Sequence, residues 1–191
     1  MTKIKAMNNN GWIQTLTGAR FYPANPQLND IHIRDIAGAL ARQCRFGGHC
    51  PRFYSVAEHC VLLARHVEKT TLNLALTALL HDASEAYLVD IPRPIKSYLG
   101  GYSEMEDRVM RTISLKYRVV WPLPQIIKND DLAILSDERE QNMAPIDASP
   151  EEWGNILPAL GIKLQFWDSV RAEKEFLEYF YYLTSMGDSG R

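Results

Sequence analysis

The residues with the most chemical character lie in the stretch Ala78-Leu79-Leu80-His81-Asp82-Ala83-Ser84-Glu85-Ala86-Tyr87. An apolar run from Leu72 to Leu80 leads directly into a His-Asp pair, and Glu85 follows four residues after His81. On a continuous helix His81 and Glu85 share a face, with Asp82 beside them. Burying such groups costs several kcal/mol each unless they are paired or bound to a metal. The plainer alternative is a helix C-terminus emerging into solvent. Elsewhere in the chain stand groups able to complete a metal site: His59, and Asp130 or Asp131. Two imidazoles and two carboxylates suit one borderline divalent ion, Co²⁺, Mn²⁺, Zn²⁺, Ni²⁺ or Fe²⁺. Such an ion polarises a phosphate and acidifies a coordinated water. Glu85, one turn past His81, is placed to orient or deprotonate that water.

The elements that must position these groups are mostly helices. Trp12 to Tyr22 has β-formers on both sides of Thr17-Gly18 and reads as a short hairpin. Asp30 and Asp35 are both candidate N-caps for a helix through about Gln43, with Ile33, Ile36, Ala37 and Leu40 as its apolar face. Cys44 to Tyr54 is rich in Gly and Pro and reads as an irregular loop. Ser55-Val56-Ala57-Glu58 is a capping box that opens a helix to about Lys69, carrying His59 and His66. Thr70 or Thr71 caps the central helix, which Asp90-Ile91-Pro92-Arg93-Pro94 must break. Ser103 to Glu106 repeats the capping-box pattern before a helix to about Tyr117. Pro124 suits the first turn of a helix to about Gln141. Pro145 to Pro150 reads as a loop. A last amphipathic helix begins near Trp167-Asp168, with Val170, Phe176, Leu177, Phe180 and Leu183 at 3- and 4-residue steps. The expected class is all-α with a small N-terminal β-hairpin, in one domain over residues 1–191. Residues 1–10 and 187–191 read as flexible tails.

The pattern His59…His81-Asp82…Asp131 resembles the HD-domain metal-dependent phosphohydrolases. The resemblance is closest to the branch of deoxynucleoside 5′-monophosphatases and phage deoxyadenosine triphosphohydrolases. It is carried by "SVAEH", "LLHDASEAYLVDIPRPIK" and "KNDD", within a span from about Trp12 to Glu140. It implies an HD-type helical bundle and the metal ligands His59, His81, Asp82 and Asp131, the last selected over Asp130 by its place three residues after Lys128. Asp130 and Asp137 are then solvated or capping charges. The resemblance places the catalytic carboxylates at Glu85, beside the water, and Asp90, near the sugar. It puts Arg45 on a phosphate, Phe46 near the base, and Lys96 and Lys128 facing a phosphate chain. His49, in "GGH", is a further candidate substrate contact, because Gly permits close approach of backbone to ligand. Arg93, Lys96 and Arg52 are extra cations suited to a triphosphate. No His follows His81, so the expected site holds one metal ion.

The implied activity is hydrolysis of a purine deoxynucleotide, adenine foremost, as a triphosphate or a 5′-monophosphate. Two alternatives stand beside it: hydrolysis of a signalling nucleotide such as a guanosine polyphosphate, and a non-catalytic nucleotide-binding regulatory module. The rest of the composition is that of an ordinary soluble chain. Its 191 residues are 46% hydrophobic and 23% charged, with a net charge of −2. No basic stripe marks a nucleic-acid partner, and no apolar run is long enough to span a bilayer. Residues 1–10 lack the apolar core of a signal peptide. Cys44, Cys50 and Cys60 have no CxxC spacing, which fits a reduced, cytoplasmic protein. Cys60 reads as core packing. The expected partner is a small-molecule nucleotide, and a homo-oligomer is expected.

Overall fold

The computed structural model describes residues 11–145, 147, 152 and 157–188. Within them the architecture is all-α, with one two-stranded antiparallel hairpin near the N-terminus. Strand β1 (Ile13–Gln14) pairs with β2 (Arg20–Phe21), Ile13 lying opposite Phe21. Gly18 closes the turn in the left-handed region at φ 84°, where a side chain would be strained. The hairpin is tied to the helices by Asp35, whose carboxylate accepts from the Thr17 amide at 2.7 Å and the Thr17 hydroxyl at 2.9 Å. Asp35 therefore does not cap helix α1 (Ile33–Arg42), which starts from an extended His32 without a side-chain cap. Asp30 lies in a short 3-10 turn, Leu28–Asp30, and caps nothing there either.

After α1 the chain is not wholly irregular, since Arg45–Gly48 forms a 3-10 turn. Its base is closed by the Arg45 amide bonding to the Tyr54 carbonyl and by a bridge between Cys44 and Ser55. Helix α2 (Val56–Glu68) begins at Ser55, whose hydroxyl accepts from the Glu58 amide. Only this half of the expected capping box forms. The Glu58 carboxylate turns instead to the Gln165, Phe166 and Trp167 amides at 2.7, 2.8 and 2.7 Å. Three amides without other partners outcompete the single one at Ser55.

The apolar run does not flow as one helix into the His-Asp pair. It is a 3-10 turn (Leu72–Leu74), helix α3 (Ala75–Leu79), a series of turns, and then helix α4 (Glu85–Leu88). Leu80 leaves helical geometry at φ −102°, ψ 11°, and the following bonds skip three residues, Ala83 to Leu80 and Glu85 to Asp82. His81 and Asp82 thus lie on a turn. Thr71 makes no side-chain cap, and the Thr70 hydroxyl bonds back to the Val67 carbonyl.

Helix α5 (Arg93–Lys96) follows Pro92, and α6 (Tyr102–Tyr117) follows a left-handed Gly101. Ser103 is already inside α6, so its capping box does not form, and Glu106 pairs with Lys96 instead. Helix α7 (Gln125–Asn142) starts directly after Pro124. Asp137 on it is buried, and accepts from the Leu160, Gly161 and Ile162 amides, so it is no solvated charge. Helix α8 (Ser169–Asp188) is capped by Asp168, which accepts from the Arg171 amide. It buries Ala172, Phe176, Tyr179, Phe180 and Leu183, whereas Val170 is exposed. The helix continues through Asp188; residues 1–10 and 189–191, read above as tails, lie outside the described residues, as do 146 and 148–150 of the expected loop.

Helix α8 packs on α1, α2 and α3, and α2 packs on α1, α3 and α7. One apolar cluster links these helices, running from Phe21 to Leu183. Phe21 stacks on Tyr87 with ring centroids 3.8 Å apart, which joins the hairpin to α4. Burying a side chain such as Phe21 is worth about 1.5–3 kcal/mol. That packing helps fix the end of α4 that follows the polar turn.

Candidate metal centre

Three elements bring their polar groups to one point. His59 lies in the second turn of α2, His81 and Asp82 on the turn after α3, and Asp131 midway along α7. The two imidazole Nε2 atoms are 3.3 Å apart. Asp131 Oδ1 is 3.2 Å from His59 Nε2 and 3.6 Å from His81 Nε2. Asp82 Oδ2 is 3.1 Å from His81 Nε2 and 3.7 Å from His59 Nε2. An ion about 2.0–2.2 Å from each donor needs neighbouring donors about 3–3.5 Å apart. His59, His81 and Asp131 form one set with ligand atoms all within 4.8 Å of one another. His81, Asp82 and Cys60 form a second such set.

The outer nitrogens are held. His59 Nδ1 is 2.7 Å from Glu138 Oε1, and His81 Nδ1 is 2.7 Å from the Ala78 carbonyl. A carboxylate or carbonyl behind Nδ1 fixes the proton there and leaves the lone pair on Nε2, as in metal-binding histidines. Two lone pairs facing each other at 3.3 Å repel unless a cation lies between them. The charges agree. Burial raises the Asp82 pKa, but His81 outweighs it and takes the group down to about 2. Burial likewise opposes ionisation of Asp131, yet its hydrogen bonds to His59 and His81 hold it well below the carboxylate range. Burial and Arg45 push His59 down, and Glu138 and Asp131 more than reverse this. The donor set is positioned to hold a divalent metal ion.

Glu85 is buried beside this set. Its Oε1 meets Lys96 Nζ at 3.4 Å, and its Oε2 has no hydrogen-bond partner among the described residues. Burial, with Asp82 and Asp90 adding to it, raises its pKa well above normal. Gln43 grips the same corner, donating to the Glu85 carbonyl and accepting from the Asp90 amide at 2.9 Å. Val89 between them sits at φ 70°, a strained value for a β-branched residue. Asp90 is half-buried; burial raises its pKa, and it feels Arg45, Asp82 and His59. Arg45 is buried, with Nη2 3.1 Å from Glu138 and Nη1 3.7 Å from Asp82, and its guanidinium faces the Phe46 ring at 5.4 Å. Phe46 is half-buried at φ 59°. Arg93 reaches Asp131 Oδ2 at 3.1 Å from the rim.

Other candidates have no described contact with the set. His49 is exposed on its loop, and Lys128 is exposed one turn before Asp131. Arg52 lies over the Phe166 ring, 3.3 Å from its centroid, and helps line a separate groove of about 580 Å³ with Arg42, Phe53 and Trp167. Cys60 packs in the core as read, and its sulfur also approaches His81 and Asp82. Sequence reasoning missed Glu138 and Gln43. Glu138 had a signal. Ile127, Asp131, Ile134 and Glu138 recur at steps of 4, 3 and 4, one buried face of α7 on which Asp130 does not fall. Gln43 had none, because its partners are a carbonyl and an amide more than forty residues away.

No family model matches the chain. It is 36% identical over 124 residues to an uncharacterized protein of Rhodobacter capsulatus, covering 61% of this chain and 63% of that one. It is 41% identical over 128 residues to Uncharacterized protein YfdR of Escherichia coli strain K12. That match covers 67% of this chain and 70% of YfdR, and on it this chain belongs to the YfdR family.

Proposed function

We propose that this chain is an HD-domain, metal-dependent phosphohydrolase acting on deoxynucleotides. Its substrate is a purine deoxynucleotide, adenine foremost, as the triphosphate or the 5′-monophosphate. The observation that carries the reading is the pair of Nε2 atoms 3.3 Å apart, flanked by Asp82 and Asp131, with buried Glu85 beside them. His59, His81, Asp82 and Asp131 would hold one divalent ion per chain. When bound, that ion supplies Lewis-acid activation of phosphate and water.

Each neighbouring residue then has a task. Glu85 accepts a proton at Oε2 from the attacking water; burial, with Asp82 and Asp90 adding to it, makes it a stronger proton acceptor than an ordinary carboxylate. Lys96 orients Glu85 through Oε1 and is itself fixed by Glu106 at 2.8 Å. Arg45 neutralises phosphate charge, and Arg93 adds a cation at the rim for a longer phosphate chain. Asp90 accepts from the sugar 3′-hydroxyl and leaves little room for a 2′-hydroxyl. A module that only bound nucleotide would gain nothing from the buried Glu85 carboxylate.

The test is a panel of deoxy- and ribonucleotides and guanosine polyphosphates with Mn²⁺ or Co²⁺, with products identified as phosphate, pyrophosphate or triphosphate. Deoxynucleotide cleavage is expected, and Glu85→Gln should keep metal and nucleotide while losing on the order of 10²–10⁴-fold in rate. Cleavage of a guanosine polyphosphate alone would replace the deoxynucleotide reading with the signalling one. Binding without cleavage would make the chain a regulatory module. Near-normal turnover by Glu85→Gln would remove that residue from the chemistry.

A further inference from the structure

Two thiols stand apart from everything assigned above. Cys44 and Cys50 bracket the loop that carries Arg45, Phe46 and His49, and their sulfurs are 3.6 Å apart. Both are free and half-buried, whereas Cys60 is sealed in the core. Neither belongs to a ligand set of the metal centre. The fold makes this contact. Phe46, Gly47 and Gly48 all have positive φ, at 59°, 60° and 81°, and this reversal returns the chain on itself. The loop's base is pinned by the Cys44–Ser55 bridge and by the Arg45 amide on Tyr54. Cys50 Sγ also rests 3.2 Å from the Arg52 carbonyl.

We propose that Cys44 and Cys50 form a reversible disulfide, a modification site for small disulfides of the glutathione class. One protein thiolate attacks a sulfur of the small disulfide, forming a mixed disulfide and expelling one small thiolate. The second protein thiolate attacks the bound protein sulfur and expels the other. Two protein thiols are oxidised, one small disulfide is reduced to two thiols, and the two protons pass to the leaving thiolates. The bond covalently closes the loop bearing Arg45, whose guanidinium touches Glu138 and Asp82. Burial and the hydrogen bond shared with Cys44 push the Cys50 thiol up to about 11. The exchange should therefore quicken from pH 7 to pH 9.

The test uses the whole native chain with oxidised glutathione, acid quenching, alkylation, intact mass and tryptic mapping. The wild type should lose two alkylatable thiols without a lasting adduct, and the peptides 43–45 and 46–52 should appear cross-linked until dithiothreitol is added. Cys44→Ser and Cys50→Ser should each stop at one glutathione adduct. Closure should be at least about tenfold faster in the native chain than in urea, since touching sulfurs exceed the millimolar effective concentration of a flexible loop. Amide exchange at 45–49 should slow in the oxidised protein. Lasting adducts on both wild-type cysteines, a cross-link to Cys60, or equal native and unfolded rates would overturn the proposal. Unchanged exchange at 45–49 would overturn the fixing of the loop.

Discussion

Glu138→Gln isolates the group behind His59. Glu138 is fully buried and accepts from His59 Nδ1 at 2.7 Å and Arg45 Nη2 at 3.1 Å. Burial alone would raise its pKa, but Arg45 and His59 hold it below the ordinary range, so it carries a charge. Gln keeps the shape and removes that charge. The two bonds use different carboxylate oxygens, so the Gln amide can accept only one of them and turns its NH2 toward the other N–H donor; one bond is lost, and the Arg45 guanidinium is left buried without a counter-ion on that side. Breaking a buried pair costs about 3–5 kcal/mol, so about 3 kcal/mol is expected where the bonds partly survive. For a chain of this length that lowers Tm by about 6–12 °C. The weakened grip on His59 should cost about 10–100-fold in metal affinity. Thermal melts with saturating Mn²⁺ and with chelator, together with competition against a chelating dye, measure both. Arg45→Met added to Glu138→Gln should recover part of the Tm loss but none of the metal affinity. A single mutant within about 2 °C of wild type and unchanged in affinity would refute the reasoning, for Glu138 would then be a passive filler.

Three further outcomes follow from the site and its frame. Purified protein should hold about one divalent ion per chain, and His81→Ala should empty the site by elemental analysis; at about 100-fold excess over Kd the ion should add about 2.7 kcal/mol to the wild type and nothing to the mutant. Asp90→Ala should narrow the preference for dATP over ATP, and dAMP over AMP, by lowering kcat/KM for the deoxy forms more; an unchanged ratio would leave Asp90 a turn residue. Arg65 donates to Glu175 at 2.8 Å and holds that carboxyl below its ordinary pKa. A lowered pKa contributes stability that is fully present above the unfolded value, about 4.3, and is lost as pH falls through the folded one. The Tm gap between wild type and Glu175→Gln, a few degrees at most for so exposed a pair, should thus be widest above about pH 5 and close toward pH 3.

The sequence was legible where one local pattern decided the outcome. The hairpin around Gly18, the Ser55 hydroxyl cap, and the breaks at Pro92 and Pro124 needed only turn and capping chemistry. Asp131, chosen for its place three residues after Lys128, lies on the α7 face that also carries buried Ile127, Ile134 and Glu138. It failed where a side chain chose a distant partner over a local one. Asp35 left the α1 N-terminus for Thr17, Glu58 left Ser55 for three amides more than a hundred residues away, and Glu106 left its own helix start for Lys96. In each case a local cap was available, and groups from another element with no better partner took the carboxylate.

The most informative failure is the helix expected through His81. On a continuous helix, successive side chains diverge by about 100°, so His81 and Asp82 would point apart. The break at Leu80 removes that obstacle, and the two donors come within 3.1 Å. It has a second effect. In an unbroken helix the Ala78 carbonyl would be taken by the Asp82 amide. Here it accepts from His81 Nδ1 at 2.7 Å, which sets the tautomer that leaves Nε2 open toward His59. The same irregularity thus brings adjacent residues together as donors and supplies the carbonyl that orients one of them. In this chain the adjacent His-Asp pair converges where the helix has already ended, and the loss of regular structure at Leu80 is part of how the centre is made.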